Sequence, residues 1–287
     1  MTDPDKDGSL HGRVVLVTGA NTGIGLVTAR ELATRGAHVF VACRSAERAE
    51  AALATIRARG PRPEALALDL GDFASVQRCA QAFLARGLPL HILINNAGLA
   101  GARGLTASGF ELAFGVNHVG HFLLTQLLLE RLKASVPARI VTVASKAHYR
   151  ASGIDWAAVR RPTAARSGLP EYQVSKLANV LFSAELGRRL AGSGVTTYAL
   201  HPGVVATDVW RQVPWPLRPL MKLTMISAED GARTTLHCAT AAEVAQETGL
   251  YYDQCRVKAP SRVAQDGALA AQLWQRSESW VRQVPTA

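Results

Sequence analysis

Short apolar runs alternate with amphipathic segments along most of the chain. Strand-like runs rich in Val, Ile and Leu are predicted at 14–17, 38–43, 65–68, 91–94, 139–143, 195–200 and 249–252. Helix-like stretches lie between them at 24–35, 46–59, 73–85, 119–133 and 172–190. Continuous apolar strands separated by helices indicate a mostly parallel sheet covered on both faces. With right-handed crossovers, the pattern predicts an α/β, doubly wound Rossmann fold of about seven strands.

No shift in composition, repeat or low-complexity run marks a second domain. We predict a polar tail over residues 1–11 and a single domain over 12–287. The stretch 209–223 is irregular and is predicted to be a lid over an apolar substrate. It combines prolines with large apolar side chains, namely Pro214, Pro216, Pro219, Trp210, Trp215, Leu217 and Met221. Core packing, or an exposed surface used for association, is the alternative interpretation of this stretch.

Composition and charge narrow the class of protein. A hydrophobic fraction of 48% over 287 residues supports a large core and excludes disorder as the main state. The formal net charge of +10 is compatible with nucleic acid, an anionic membrane surface or an acidic cofactor. Because the basic residues are dispersed and no nucleic-acid-reading motif accompanies them, we expect no nucleic-acid partner. Peripheral contact with phospholipid headgroups stays open as an alternative.

The cysteines and the N-terminal residues bear on localisation. The four cysteines are widely separated and form no CxxC pair, so we expect free thiols in a reducing compartment. The first residues are acidic and polar, and no apolar run approaches the ~20 residues of a membrane span. These features predict a soluble, cytoplasmic protein, either free in solution or peripheral at a membrane surface.

Glycines mark the turn between the first predicted strand and the first helix. Gly19, Gly23 and Gly25 lie there, in the segment 18–25. Glycines at such a turn let the backbone approach a pyrophosphate, and the helix N-terminus supplies N–H donors. The spacing differs from G-x-G-x-x-G, and no Lys follows as in a P-loop. A tight structural turn is the alternative, but the position after a first strand favours a dinucleotide.

Two residues at strand ends are candidates for contact with the adenosine half of that cofactor. Arg44 follows the second strand, where a carboxylate favours NAD and a guanidinium favours the 2′-phosphate of NADP. We therefore predict NADP(H), with a solvated surface arginine as the alternative. Asp69 ends the third strand and is suited either to accept from the adenine amino group or to cap the next helix.

A phenol and an ammonium group lie one helical turn apart in Tyr172 and Lys176. A nearby ammonium favours phenolate, which tunes Tyr172 as a general acid for carbonyl reduction and a base for the reverse reaction. Ser145, at the end of the fifth strand, is placed to donate a hydrogen bond to the substrate oxygen. Asn117 is placed to hold a water that connects Lys176 to solvent.

Two pairs of residues that contain histidine have other interpretations. His118 and His121 are spaced like metal ligands on a helix, but no third ligand is near in sequence, so we predict no metal site and assign them to core or surface positions. Ser145 and His148 are too close in sequence for a hydrolase dyad, and the chain has no G-x-S-x-G elbow.

Five motifs follow one another along the chain: T-G-x-x-x-G-I-G, N-N-A-G, the Ser of strand five, Y-x-x-x-K and His201-Pro202-Gly203. In this order they resemble the short-chain dehydrogenase/reductase family, and the resemblance extends from about Gly12 to the last helix. The resemblance implies a catalytic tetrad of Asn117, Ser145, Tyr172 and Lys176. It also implies nicotinamide-cofactor contacts from Gly19, Asn21, Thr22, Gly23, Ile24, Gly25, Arg44, Asp69, Leu70, Asn96, Ala97, Gly98, Tyr172, Lys176, Pro202, Gly203, Val205 and Thr207.

Longer phrases, such as residues 90–98, 116–125 and 175–182, are similar to NADP-dependent retinol dehydrogenases. That likeness implies carbonyl–alcohol interconversion on an apolar substrate, retinal/retinol or a lipid aldehyde. The alternatives are a steroid, quinone or xenobiotic carbonyl reductase, or a cofactor-bound scaffold with little turnover. The chain departs from that subgroup in lacking its N-terminal hydrophobic anchor and in having Ala144-Ser145 in place of Ser-Ser. Relatives also imply a homodimer or homotetramer, packed through the helices around Leu123 and Leu181.

Overall fold

A single sheet organises the molecule. The computed structural model describes residues 9–203 and 227–282. Within these ranges the sheet has eight strands in the order β3-β2-β1-β4-β5-β6-β7-β8, and only the β7–β8 pair is antiparallel. The strands are β1 Val14–Thr18, β2 His38–Cys43, β3 Glu64–Ala67, β4 Ile92–Asn95, β5 Ala138–Val143, β6 Val195–His201, β7 Leu250–Asp253 and β8 Arg256–Val257.

Helices cover both faces of this sheet. In the described part of the chain they are α1 Gly23–Thr34, α2 Ala46–Thr55, α3 Phe73–Leu84, α4 Leu112–Phe114, α5 Gly120–Lys133, α6 Leu169–Arg189, α7 Ala228–Thr240 and α8 Gly267–Arg282. A π-helical turn, Gly115–Val119, joins α4 to α5 without a break. Short 3₁₀ turns at Lys146–Arg150, Ala158–Arg160 and Val263–Gln265 lie in the connections.

The alternation of side chains along each strand creates two cores. On β1, Val14 and Leu16 point into one core, whereas Val15 and Val17 point into the other. Both faces of the strand are therefore buried, which explains why its sequence is continuously apolar. The larger core lies under α3, α5, α6 and α8, and the smaller lies under α1 and α7.

The predicted fold class is confirmed, and the differences are local. The structure has eight strands rather than about seven because β8 contains two exposed residues and leaves no apolar run in the sequence. The helix predicted over 46–59 ends at Thr55, where Ile56 turns extended. Helical structure begins at Leu112, whereas the sequence predicted a helix only from 119. The prediction began late because polar and glycine residues interrupt the apolar pattern before that point.

One helical stretch in the described part of the chain has the length and apolarity of a membrane span. It is Leu112–Lys133, and 72% of its most apolar window is buried inside the fold. Leu123, Leu124 and Leu128 on this stretch belong to the larger core. Its apolar residues are therefore explained by packing within the protein.

Candidate active site

The first α-helix presents an uncapped N-terminus to the carboxyl edge of the sheet. Its N-cap residue, Thr22, makes no side-chain cap hydrogen bond, and the first turn contains no acidic residue. By contrast, side-chain oxygens of Ser45, Asp72 and Ser227 cap α2, α3 and α7. The amides at the start of α1, in the predicted segment with Asn21, Gly23 and Ile24, are thus available to an anionic group.

Glycines allow the loops around this helix to pack closely. Gly19 has a φ of 67°, and a Cβ added there would lie 2.8 Å from the Cα of Ala97. A Cβ on Gly25 would lie 2.5 Å from the carbonyl oxygen of Gly19. Both positions therefore require glycine to bring the loop after β1 against the loop after β4.

A buried threonine connects these two loops. The Thr18 hydroxyl accepts hydrogen bonds from the backbone N–H groups of Asn96 and Ala97, each at 2.9 Å. The Asn96 side-chain amide donates to the Thr18 carbonyl at 2.8 Å. The hydroxyl proton has two acceptors within reach, Nε2 of His121 at 2.8 Å and the Ile94 carbonyl at 3.3 Å.

His121 extends the same network to Asn117. Because the Asn117 carbonyl only accepts, the ring proton lies on Nδ1 and is donated to it at 3.0 Å, which leaves Nε2 as the acceptor facing Thr18. Burial lowers the pKa of His121 to about 4, so the imidazole is neutral at neutral pH. One imidazole thereby links the ends of β1 and β4 to the π-helical turn.

The π-helical turn holds Asn117 against the loop after β4. Its side-chain oxygen accepts from the Leu99 N–H at 2.9 Å, and its amide donates to the Leu99 carbonyl at 3.0 Å and to the Ser175 hydroxyl at 2.9 Å. A Cβ added to Gly98 would lie 3.3 Å from the Asn117 side-chain oxygen and 3.5 Å from the Lys176 Nζ. The structure therefore brings Asn117, Gly98 and Lys176 together.

The predicted adenosine contacts lie further along the same edge. Arg44 is exposed directly after β2. One Asp69 oxygen accepts from the Gly71 N–H at 2.9 Å, and the helix cap predicted as its alternative role belongs to Asp72. The second Asp69 oxygen forms no hydrogen bond among those found in the described residues. Leu70 is buried against Gly120 and contributes to the floor of this region.

Ser145 and Tyr172 meet at the end of β5. The Ser145 hydroxyl accepts from the Ala147 N–H at 3.1 Å. Burial raises the pKa of Tyr172, and the nearby Ser145 side chain acts in the opposite direction. The phenol is therefore held in its neutral, proton-donating form.

Lys176 lies one turn further along α6. Its Nζ is 5.7 Å from the centroid of the Tyr172 ring and donates to the Val143 carbonyl at 2.8 Å. The Asn179 amide donates to the same carbonyl at 3.2 Å. Burial lowers the pKa of Lys176 to about 7. Burial is thus the largest influence on the pKa of each of these two groups.

The end of β6 completes the described part of the site. Pro202 and Gly203 follow His201, and Gly203 has a φ of 96°. The His201 ring is 4% exposed, and neither ring nitrogen has a hydrogen-bond partner among the described residues. Val205, Thr207 and the predicted lid 209–223 lie outside the described residues.

Several residues in this network are absent from the sequence-based site. Thr18 stands within the glycine motif, so its position is a signal, but its bonds to Asn96 and Ala97 span 78 and 79 residues. Ser175, which donates to the Tyr172 carbonyl at 2.7 Å, lies within Y-x-x-x-K and gives no separate signal. His121 has the expected core position, and its role follows only from the folded contacts.

Comparison with known proteins identifies the family. The short chain dehydrogenase profile matches residues 13–215. The protein belongs to the short-chain dehydrogenase family. Human retinol dehydrogenase 12 is 47% identical over 277 residues, a match that covers 93% of this chain and 86% of that protein. The resemblance to retinol dehydrogenases predicted from the sequence is thereby confirmed.

Solved structures of this family agree with the fold. An uncharacterised protein from Mycobacterium paratuberculosis superposes with a TM-score of 0.78 at 37% identity, covering 96% of this chain and 95% of that one. The RhlG/NADP active-site complex of Pseudomonas aeruginosa has a TM-score of 0.66 at 29% identity, with coverage of 85% and 94%. The protein is accordingly a short-chain dehydrogenase/reductase that uses a nicotinamide cofactor and acts on CH–OH groups. The uncapped α1 terminus and the glycine-lined cradle fit such a dinucleotide.

Proposed function

We propose that the protein is an NADP(H)-dependent oxidoreductase that interconverts a carbonyl and an alcohol on an apolar substrate, retinal/retinol or a lipid-derived aldehyde. The observation that carries the proposal is that Ser145, at the end of β5, lies beside the buried Tyr172, whose ring centroid is 5.7 Å from the Lys176 Nζ. A neutral phenol next to a hydroxyl donor is suited to a substrate oxygen whose negative charge increases during reduction.

Tyr172 is proposed to exchange the proton. In the reducing direction its hydroxyl donates to the carbonyl oxygen, and in the oxidising direction the phenolate takes the alcohol proton. The bound nicotinamide supplies or accepts the hydride. Ser145, whose hydroxyl already accepts from the Ala147 N–H, donates its own proton toward the same substrate oxygen.

Lys176 and Asn117 are proposed to complete the tetrad. The Lys176 ammonium is anchored by the Val143 carbonyl and lies beside Gly98, where the loop after β4 approaches the site. Asn117 fixes that loop through both backbone groups of Leu99. The pair therefore holds the cofactor-facing loop and the ammonium in one arrangement. The remaining predicted cofactor contacts, Val205 and Thr207, belong to the proposal as well.

The preference for NADP(H) is proposed from Arg44. Its guanidinium is exposed after β2, and the first acidic residue beyond it, Glu47, lies in the first turn of α2. A guanidinium pairs with a phosphate through charge-assisted hydrogen bonds, and no carboxylate is positioned at the strand end to accept from a ribose hydroxyl. The NADP in the RhlG complex is consistent with this preference.

The apolar substrate class is proposed from the relatives and from the lid sequence. Retinol dehydrogenase 12 carries the name of a long apolar alcohol, and residues 209–223 combine tryptophans with aliphatic side chains. In a pocket lined by such side chains, each buried methylene group of the substrate would contribute about 0.8 kcal/mol to the free energy of binding. Longer aldehydes should therefore be better substrates until the pocket is filled.

The test is a homologous series of aliphatic aldehydes, with retinal as the long polyene, followed by NADPH oxidation. We expect kcat/KM to rise roughly fourfold per added methylene group, the ratio that corresponds to about 0.8 kcal/mol. Tyr172→Phe should reduce turnover at least ~10²-fold, while NADPH binding and thermal unfolding stay unchanged, because only the proton-transferring hydroxyl is removed.

Equal use of short and long aldehydes by the parent enzyme would overturn the apolar-substrate assignment and favour a general carbonyl reductase. A Tyr172→Phe variant that retains most of its turnover would overturn the assignment of the proton donor. These two results are independent of each other, since one concerns the pocket and the other the chemical step.

We also propose a cytoplasmic location with peripheral contact at an anionic membrane surface. The described cysteines are unpaired, which suits a reducing compartment. A basic rim lies beyond β5 and β7 and is defined as the exposed side chains of Lys146, Arg150, Arg256, Lys258 and Arg262. Two exposed apolar side chains, Tyr149 and Val257, adjoin it along the chain and are 40% and 51% exposed. Asp253 is paired with Lys146 and Lys258.

A homodimer or homotetramer is the proposed oligomeric state. The residues around which packing was predicted, Leu123 and Leu181, are buried inside the subunit. Trp274 of α8 contacts Phe122 and Phe182 on the same helices, with ring centroids 5.0 Å and 6.1 Å apart. A second copy would therefore contact the parts of α5 and α6 that α8 leaves uncovered.

A further inference from the structure

A buried imidazole, that of His148, contacts the backbone of Ser145. Nδ1 of His148 is 2.6 Å from the Ser145 carbonyl oxygen, and Nε2 is 3.1 Å from the backbone nitrogen of Ser261. A backbone N–H only donates and a carbonyl only accepts, so these partners determine the tautomer. The ring proton lies on Nδ1 and is donated to Ser145, while Nε2 accepts from Ser261.

The surroundings of this ring allow it little freedom. His148 is 0% exposed and packs between Tyr149 and Tyr251, with ring centroids 4.1 Å and 4.8 Å away. The Tyr149 hydroxyl donates to the Ala259 carbonyl at 2.6 Å, which anchors the same turn to the segment after β8. Burial lowers the pKa of His148, so the neutral tautomer with both hydrogen bonds is the form present at neutral pH.

These contacts hold both the backbone and the side chain of Ser145. The Ser145 carbonyl accepts from the His148 ring and from its backbone N–H, the latter at 3.2 Å. The Ser145 hydroxyl accepts from Ala147, two residues further along the same 3₁₀ turn. The carbonyl and the hydroxyl of one residue are thus both held by the turn that His148 anchors to Ser261.

From this geometry we infer that His148 is a positioning residue, which orients the Ser145 hydroxyl toward Tyr172 and the substrate oxygen by holding the Ser145 carbonyl against Ser261. The inference rests on the role proposed for Ser145. His148 does not touch the reacting atoms. Both of its ring nitrogens have backbone partners, so neither is free to carry a proton to or from the substrate.

Two substitutions separate the hydrogen bonds from the shape of the side chain. His148→Phe keeps an aromatic ring between the tyrosines but loses both hydrogen bonds. His148→Asn places an amide N–H where Nδ1 stands and retains the donor to the Ser145 carbonyl. Each variant is also made in a Ser145→Ala background. The measured quantities are kcat, the dissociation constant of NADPH and the thermal unfolding midpoint.

We expect His148→Phe to lower kcat at least tenfold with the NADPH dissociation constant changed less than twofold. His148→Asn, which keeps the donor to Ser145 but loses the acceptor for Ser261, should restore part of the loss. In the Ser145→Ala background, where ~10²-fold of activity is already lost with the hydroxyl donor, neither substitution should lower kcat further. A residue that merely supports the fold would reduce kcat by the same factor in both backgrounds and would not be rescued by asparagine.

An active His148→Phe variant beside an impaired Ser145→Ala variant would overturn the positioning role alone. Equal losses in the two backgrounds would also overturn it. If Ser145→Ala itself retains full kcat, the proposed role of Ser145 falls, and the inference falls with it. If His148→Phe does not fold, the remaining loss of kcat in His148→Asn decides the question: it should be present with Ser145 and absent in the Ser145→Ala background, and an equal loss in both would overturn the positioning role.

Discussion

At the residue scale, the preference between the two nicotinamide cofactors is expected to depend on Arg44. Arg44→Asp removes the partner of the 2′-phosphate and supplies an acceptor for a ribose hydroxyl. Since hydrogen bonds to charged groups contribute ~1.5–3 kcal/mol, the ratio of kcat/KM for NADPH to that for NADH should fall by at least tenfold. Steady-state assays with both cofactors measure this ratio.

The matched control for that experiment is Arg57→Asp, which changes the charge equally at an exposed position after α2. It should leave the cofactor ratio unchanged. If Arg44→Asp also leaves the ratio unchanged, Arg44 is a solvated surface residue and the proposal for NADP(H) loses its support.

The buried Lys176 ammonium makes stability depend on alkaline pH. Its pKa is about 7 in the folded protein and about 10.5 as a free side chain, so between these values the unfolded chain binds the additional proton. Folding stability therefore rises with pH across this interval as the cost of burying the charge disappears. Lys176→Met should be more stable than the parent by a few kcal/mol at pH 7, and the difference should shrink toward pH 10.

Urea unfolding of parent and variant at pH 7 and pH 10 measures that difference, and comparing the two proteins removes the contribution of other groups that titrate in the same range. A difference that stays constant with pH would show that Lys176 is protonated in both states. The loss of turnover in the variant is expected in either case, because the ammonium is part of the proposed tetrad.

Residue roles were predictable where chemistry lies within one short motif. The spacing of Tyr172 and Lys176 on one helical face, and the glycines after β1, are local patterns that the structure places at a common edge. The contacts of His121 with Thr18 join residues 103 positions apart, and those of His148 with Ser261 join residues 113 positions apart. Contacts between residues so far apart leave no pattern in a short stretch of sequence. The sequence therefore offered no reason to place either histidine in the site.

At the element scale, α8 is expected to contribute a large share of the larger core. Trp274 is 5% exposed, packs on Phe122 and Phe182, and has the Arg189 guanidinium 4.4 Å from its ring centroid. Trp274→Ala should therefore lower the free energy of unfolding by ~3–5 kcal/mol, the usual range for removing a buried aromatic ring. Urea unfolding of the two proteins checks this value.

Gln272→Ala, at an exposed position on the same helix, is the control and should change the free energy of unfolding by less than ~0.5 kcal/mol. If both substitutions have equally small effects, the packing of α8 on α5 and α6 is not what stabilises this face of the sheet.

Element boundaries followed the apolar pattern where that pattern was continuous. β2 has the predicted bounds, His38–Cys43, because every residue from Val39 to Cys43 is buried and the run ends at the exposed Arg44. The π-helical turn was not predictable, since its geometry follows from the contacts of Asn117 with Leu99 and Ser175 across other elements. β8 was missed because two exposed residues form no pattern.

At the scale of the whole molecule, the basic rim should bind anionic vesicles. We expect cosedimentation with vesicles of phosphatidylcholine and phosphatidylserine, and none with phosphatidylcholine alone. Reversing three rim charges, in Arg150→Glu/Arg256→Glu/Arg262→Glu, should weaken this binding roughly 100-fold or more, since each basic residue near such a surface contributes ~1 kcal/mol.

The matched control is Arg57→Glu/Arg59→Glu/Arg62→Glu, which changes the net charge equally at exposed positions in the connection between α2 and β3. Equal weakening by the two triple variants would attribute binding to net charge rather than to the rim. Failure of the parent to bind either vesicle would remove the proposal of membrane contact and leave the proposed reaction untouched.

The two margins of the sheet have a consequence for the protein at high concentration. β8 is two residues long and carries Arg256 beside Lys258, while at the other margin Glu64 of β3 pairs with Arg86 and His38. Short outer strands with charged side chains offer few unpaired backbone groups to an incoming chain. Addition of strands from another molecule to either margin is thereby hindered, so the native state should resist templated fibril growth during concentration and storage.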